Sequence, residues 1–273
     1  MTGEDNNSGL SIEEQGIDII DESERKGTPR SLFWPWFASN ISVLSMSYGA
    51  WGLGFGISFW QATVAAIIGV VASFLLVGVV SIAGKRGNAP TMVITRATFG
   101  VEGAKVPSAL SWIATLGWEI SLTATAALAL ATMFDRLGWG DGATGKIIAT
   151  VIVVGMVVIA GIFGYDLIMR FQQVITLVTA IVTIGFFVLA WGHIDFAAIA
   201  SVKAGGVPAV LGCCFFVMTG FGLGWVNIAA DYSRYLPRAS SNKGVVDYIR
   251  SFARASAAHR LRAAARRLRF KDV

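Results

Sequence analysis

Charge is what this sequence has least of. Only 14% of its 273 residues are Asp, Glu, Lys or Arg, against about 25% in ordinary soluble domains. From Ser31 to Gly84 there are 54 residues without a single one. About 20 apolar residues cross a bilayer as a helix, so this run is long enough for two crossings. Cysteine is scarce as well: Cys213 and Cys214 are the two present, and they are adjacent. That excludes a disulfide framework or a thiolate metal site by spacing and leaves two packing thiols inside an apolar run. The two histidines, His193 and His259, are isolated. No Ser/His/Asp set, metal-ligand cluster or phosphate loop can be assembled, so the sequence offers no basis for an enzyme and calls for no resident cofactor. The glycines at 52, 54 and 56 do not follow a strand, as a dinucleotide fingerprint requires. Asn40-Ile41-Ser42 fits a glycosylation acceptor only in spelling, because it lies within an apolar span.

What is present is apolar: 55% hydrophobic residues and a mean hydropathy of +0.64, which excludes a disordered chain. The net charge of +5 is carried by one end. Gly244 to Val273 hold 8 of the 22 basic and 2 of the 17 acidic residues, leaving 14 against 15 elsewhere. Nothing in the body of the chain points to nucleic acid as a partner.

The chain divides into a polar, acidic leader (1–30), an apolar body (31–237) and a basic Ala/Arg-rich tail (238–273). The leader lacks the basic-then-apolar order of a secretory signal and reads as soluble and partly disordered. The body contains five apolar runs. Ser31–Gly84 must fold back, with Trp51-Gly52-Leu53-Gly54-Phe55-Gly56 as its turn. Val106–Phe134 carries one charge, Glu119. Ile147–Tyr165, Phe171–Ile194 and Ala204–Ala230 carry none. The runs are too long for buried strands and do not alternate as barrel strands do. The fold class is therefore an all-α integral membrane protein with six expected spans. Lys and Arg in the leader and in the loops after spans 2, 4 and 6 number eleven, against three on the opposite side (Arg136, Lys146, Lys203). This places the N-terminus in the cytoplasm. Trp34, Trp36, Trp51, Trp60, Trp139 and Trp191 fall near span ends, where indoles favour the interface.

Two spans are interrupted. The first reads Trp36-Phe37-Ala38-Ser39-Asn40-Ile41-Ser42. The sixth reads Gly220-Phe221-Gly222-Leu223-Gly224-Trp225-Val226-Asn227. Each interior glycine weakens a helix by about 1 kcal/mol relative to Ala, and paired broken helices mark the binding region in inverted-repeat transporters. The glycines also suit close helix packing through small residues, and both readings stand. Glu119 is the one acid in mid-span, where a charge costs about 2.5–3.5 kcal/mol on insertion scales. Ligand binding and a paired or protonated packing role are both open to it. Trp118 points about 100° away around the helix.

These residues also carry a family likeness, which runs from about Ser11 to Val246. The landmarks are Trp36-Phe37-Ala38-Ser39-Asn40, Gly87-Asn88-Ala89-Pro90-Thr91-Met92-Val93-Ile94-Thr95-Arg96-Ala97-Thr98-Phe99-Gly100, Gly117-Trp118, and Ala230-Asp231-Tyr232-Ser233-Arg234-Tyr235-Leu236-Pro237. With them the chain resembles the nucleobase–cation symporters of the purine/cytosine permease and hydantoin/allantoin transporter group. The resemblance implies twelve spans in two inverted five-helix repeats. It implies a purine, pyrimidine or related heterocycle held between aromatic rings on spans 3 and 6, and a Na⁺ or H⁺ coupling site between spans 1 and 8. By residue, Trp118 and Trp225 match the stacking positions, Gly224 an adjoining backbone contact, and Ala38 and Ile41 the carbonyls facing the cation. Leu122 stands where many members have Asn or Gln, and Glu119 is the polar group nearest to replacing it.

The resemblance further implies a multi-pass protein of the cell membrane, specifically a bacterial inner membrane, whose partners are a small heterocycle and lipid. It covers one repeat plus the opening helix of the next, so the chain is expected to be the N-terminal part of the transporter and not to carry out coupled transport alone. The Ala/Arg-rich text after Val246 falls where span 7 should begin and is expected to be out of frame. A basic helix on the anionic leaflet is the competing reading. Two other functions remain: a related broken-helix transporter for amino acids, and a membrane protein without transport activity.

Overall fold

The structure is a computed structural model that describes residues 16–41, 43–140, 142–193 and 196–251. Every regular element among them is helical. In chain order these are α1 (Phe33–Ala38), α2 (Val43–Leu53), α3 (Phe59–Gly87), α4 (Thr91–Ile94), α5 (Arg96–Gly103), α6 (Lys105–Leu137), α7 (Gly142–Ala190), α8 (Phe196–Ser201), α9 (Val207–Gly220) and α10 (Ala229–Ser233). A 3-10 turn over Leu223–Ile228 joins α9 to α10, and residues 242–251 are again helical. The chain forms two compact units, one containing 95–171 and the other 17–94 with 172–251.

Among the described residues four stretches are long and apolar enough to cross a membrane: Phe59–Gly87, Lys105–Leu137, Gly142–Ala190 and Val207–Ser233. Six spans were expected, and the difference has two sources. The expected first span is two shorter helices, α1 and α2, neither of which reaches 18 residues. The expected fourth and fifth spans fall in one run of 49 residues, in which two helices meet across a kink. At 1.5 Å per residue that run is about 74 Å long, more than twice a hydrocarbon core of about 30 Å. Its backbone leaves helical geometry at Gly164 (φ 58°, ψ −141°), a conformation that a side chain would resist.

The turn between α2 and α3 forms where the glycines predict it. Gly56 adopts φ 69°. Ser58 then caps α3: its hydroxyl accepts from Gln61 N while Gln61 Oε1 accepts from Ser58 N. Gln61 also exchanges two 2.9 Å hydrogen bonds with the backbone of Gly205, just ahead of α9.

The core of the larger unit is built on α3. Ala65, Gly69, Ser73, Val77, Ser81 and Lys85 recur every fourth residue, and all are buried. Such an i±4 row forms a ridge, and its small side chains let α9, the 3-10 turn and α10 lie against the α3 backbone. The approach is close at Gly84, where an added Cβ would collide with Ser233 Oγ and sit 2.6 Å from Ala230 Cβ. Lipid is as apolar as the side chains, so helix contact there gains little from the hydrophobic effect. Packing and interhelical hydrogen bonds hold the helices instead, each bond averaging about 0.6 kcal/mol. Ser81 Oγ donates to Ala229 O (2.7 Å), and Ser233 Oγ donates back to Ser81 O (2.7 Å).

Trp36 corrects one expectation. It is 1% exposed, at the centre of a cluster with Leu32, Phe74, Val77, Ala229, Leu236, Val245 and Ile249. The indole faces α3 and α10, and the interfacial position expected from its place near a span end is not adopted. Trp51, Trp60, Trp139 and Trp191 are exposed. Cys213 is buried and Cys214 partly so.

Candidate functional site in the two broken helices

The first break follows from side chains that compete with the helix for its own carbonyls. Ser39 Oγ donates to Pro35 O (2.6 Å) and Asn40 Nδ2 to Trp36 O (2.7 Å). Phe37 O receives both Asn40 N (3.1 Å) and Ile41 N (3.0 Å). Ala38 closes α1, Ile41 lies in the break, and α2 restarts at Val43.

The second break begins at Gly220, where an added Cβ would collide with the Tyr48 ring, leaving no room for a side chain. Gly222 N donates to Ser73 Oγ (3.2 Å), and a Cβ on Gly222 would run into Ser73. Of the two glycines that suit small-residue packing, Gly220 and Gly224, only Gly220 meets another helix; a Cβ on Gly224 would meet Thr219 O of its own segment at 3.0 Å. Gly224 and Trp225 sit in the 3-10 turn, with Trp225 N donating to Gly222 O (3.0 Å).

Trp36 brings the two breaks together. Its ring meets Trp225 edge-on at 6.2 Å and 68°, Tyr232 at 5.6 Å and 83°, and Phe74 at 6.2 Å and 71°. Of the candidate site residues Trp225 belongs to this aromatic cluster, while Ala38 and Ile41 follow Trp36 in the chain and Gly224 precedes Trp225, all in one unit. Trp118 and Glu119 belong to the other unit. They stand in the middle of α6, Trp118 half-exposed and Glu119 exposed, with Leu122 also exposed one turn on.

Below the second break, the stretches after spans 2 and 6 lock together. Asp231 Oδ1 accepts from Thr91 N (2.8 Å) and Thr91 Oγ1 (2.9 Å), and Thr91 Oγ1 accepts from Ala230 N (2.9 Å). Asn88 ends α3 in the left-handed region (φ 56°), which Asn tolerates. Its Nδ2 donates to Ile20 O, and Ile20 N donates to Asn88 O.

The leader is thereby drawn into the fold. Ile20 and Arg25 are buried, whereas most other residues of 17–30 are exposed; 1–15 lie outside the described residues. Arg25 donates to Lys85 O and to Glu22, and Lys85 Nζ to Ser240 O. Glu22 Oε1 accepts from Arg238 N (3.0 Å). That bond, followed by the Arg25 guanidinium, holds the Glu22 carboxyl below its ordinary pKa. The leader and the segments after α3 and α10 are thus in contact. Sequence reasoning did not single out Thr91, Asp231 or the core role of Trp36, although all three stand in the stretches that carry the resemblance. The Ala/Arg-rich segment 252–273 lies outside the described residues.

Comparison with known proteins bears on this arrangement. Residues 19–255 match the model of a family described as permeases for cytosine/purines, uracil, thiamine and allantoin. Purine-cytosine permease FCY2 of Saccharomyces cerevisiae is 27% identical over 244 residues, covering 86% of this chain and 44% of that protein. The Bacillus subtilis protein YxlA, whose purine-cytosine permease name is a provisional one, is 28% identical over 232 residues, covering 84% of this chain and 48% of its own. The chain spans about half the length of the curated relatives it matches. No solved structure matches it. With 237 of its residues inside the family match and four stretches able to cross a bilayer, this chain is a multi-pass membrane protein belonging to the cytosine/purine, uracil, thiamine and allantoin permease family.

Proposed function

We propose that this chain carries the first five-helix repeat and the opening helix of the second in a nucleobase–cation symporter. The observation that carries the reading is the edge contact between Trp36 and Trp225, which joins the broken first span to the broken sixth. Discontinuous helices in corresponding positions of two inverted halves frame substrate and ion in this kind of transporter. Trp225 offers one indole face to a planar base, and Trp118 on span 3 supplies the second. Stacking of this kind is worth about 1–3 kcal/mol per base. Gly224 presents backbone to the ring edge, and Glu119 contributes the polar group absent at Leu122. The carbonyls of Ala38 and Ile41 face Na⁺, or their segment accompanies proton coupling, with span 8 completing the site.

Six spans accommodate the chain: α1 with α2 as the first, α3, α6, the two parts of α7 on either side of Gly164, and α9 through α10. The N-terminus lies in the cytoplasm, and the membrane is the bacterial inner membrane.

The test is uptake by proteoliposomes that hold the full-length transporter formed when this chain is completed. Radiolabelled cytosine, adenine, guanine, hypoxanthine, uracil and allantoin are offered under Na⁺ and H⁺ gradients. Saturable, gradient-dependent uptake of at least one, lost in Trp225→Ala, is expected. Uptake of amino acids and of none of these would move the protein to the rival transporter class.

A further inference from the structure

We propose that the end of α3 carries a binding site for an anionic phospholipid, with the phosphate in a basic cleft and an acyl chain along the neighbouring helix face. The cleft has a volume of about 530 Å³ and is lined by Lys85, Arg86, Arg238, Ser240 and Asn242. Among the described residues none of its three cationic side chains pairs with a carboxylate. Lys85 is 3% exposed and donates to Ser240 O, so its ammonium is held in the wall. Arg25 stands behind it with its guanidinium on Lys85 O. The nearby acid, Glu22, is engaged by Arg25 and by Arg238 N. The cleft therefore keeps a positive surplus.

A second hollow, about 590 Å³, opens beside it and is lined by Val79, Ile82, Ala83, Arg86 and Gly87. Arg86 belongs to both. An anion next to an apolar trough on a membrane-crossing helix is the outline of a phospholipid, and a basic pocket at a helix end suits its headgroup. The basic tail 252–273 has the wrong charge to fill the cleft. The acidic segment 1–15 has the right charge, but Leu10 and Ile12 are short apolar side chains beside an acyl chain, so the lipid is the better fit to the trough.

The test is native mass spectrometry of the purified full chain from micelles holding equal amounts of phosphatidylglycerol and phosphatidylcholine. Retention of phosphatidylglycerol over phosphatidylcholine is expected, weakening as salt rises. Helicity checked by circular dichroism, the Arg86→Gln, Arg238→Gln double variant should lose retention about thirty-fold for two lost charges. Ala83→Trp, which fills the trough, should also lower it, and Arg136→Gln, outside the cleft, should not. Equal retention of both lipids without salt dependence would overturn the proposal. So would a double variant that behaves like Arg136→Gln. Displacement of the lipid by glycerol phosphate at equal concentration would reassign the cleft to free phosphate. A several-fold gain on deleting residues 2–15 would reassign it to the leader.

Discussion

Asp231 and Thr91 lie 140 positions apart in the chain, and one carboxylate oxygen, Oδ1, takes both the backbone N–H and the hydroxyl of Thr91 at 2.8 and 2.9 Å. The hydroxyl in turn receives Ala230 N, so the start of α4 and the start of α10 are held as one object. Removing either partner leaves a partly buried polar group without its bond, which costs about 1–3 kcal/mol. Thr91→Val and Asp231→Ala should each lower unfolding stability in detergent by that amount. Thr91→Ser should keep most of it. The double variant should cost less than the sum of the singles, because the two residues share one interaction. Additive losses in thermal unfolding would show that the contact contributes nothing of its own.

Gly84 and Gly117 separate close approach from mere helix composition. A methyl at Gly84 meets Ser233 and Ala230, whereas at Gly117 it meets nothing within 4 Å. Gly84→Ala should destabilise by about 1–3 kcal/mol through overpacking. Gly117→Ala should be neutral or stabilise by up to about 1 kcal/mol through helix propensity. Midpoints of unfolding for the two variants decide this directly.

Glu22 gives a pH dependence with a definite sign. Its folded-state pKa is depressed, by the hydrogen bond from Arg238 N first and by Arg25 second. A depressed carboxyl contributes stability above its unfolded value, about 4.3, and the contribution is lost as pH falls through the folded value. Wild type should therefore lose stability faster than Glu22→Gln below about pH 4.5. Parallel pH profiles for the two proteins would remove Glu22 from the account.

The charge count predicts sidedness. With Cys213 and Cys214 replaced, single cysteines at Gly87 and Gly140 should differ toward an impermeant thiol reagent applied outside intact cells. Position 140 should react and position 87 should not. Equal labelling would reject the cytoplasmic N-terminus.

The stacking roles predict that Trp118→Ala and Trp225→Ala each weaken nucleobase binding to the full-length transporter by about 1–3 kcal/mol, and Trp→Phe by less because a π-face remains. Equilibrium binding is the measurement. Unchanged affinity with intact membrane insertion would leave both rings as packing residues.

Membrane class, helical character and the main turn were legible in the residues alone, because they depend on local properties. A 54-residue stretch without charge points to apolar spans, and the glycines at 52, 54 and 56 mark the turn that Gly56 makes at φ 69°. The breaks were legible too, since Ser39 and Asn40 act on carbonyls four residues away. What only the tertiary structure decided is long-range. The burial of Trp36 depends on Phe74, Trp225 and Tyr232. The docking of Ile20 and Arg25 depends on Asn88 and Lys85. The small-residue ridge of α3 has meaning only once α9 and α10 lie against it. A tryptophan near a span end satisfies the interface and a helix core equally well by composition, and which environment it meets is set by the neighbours that the folded chain brings to it.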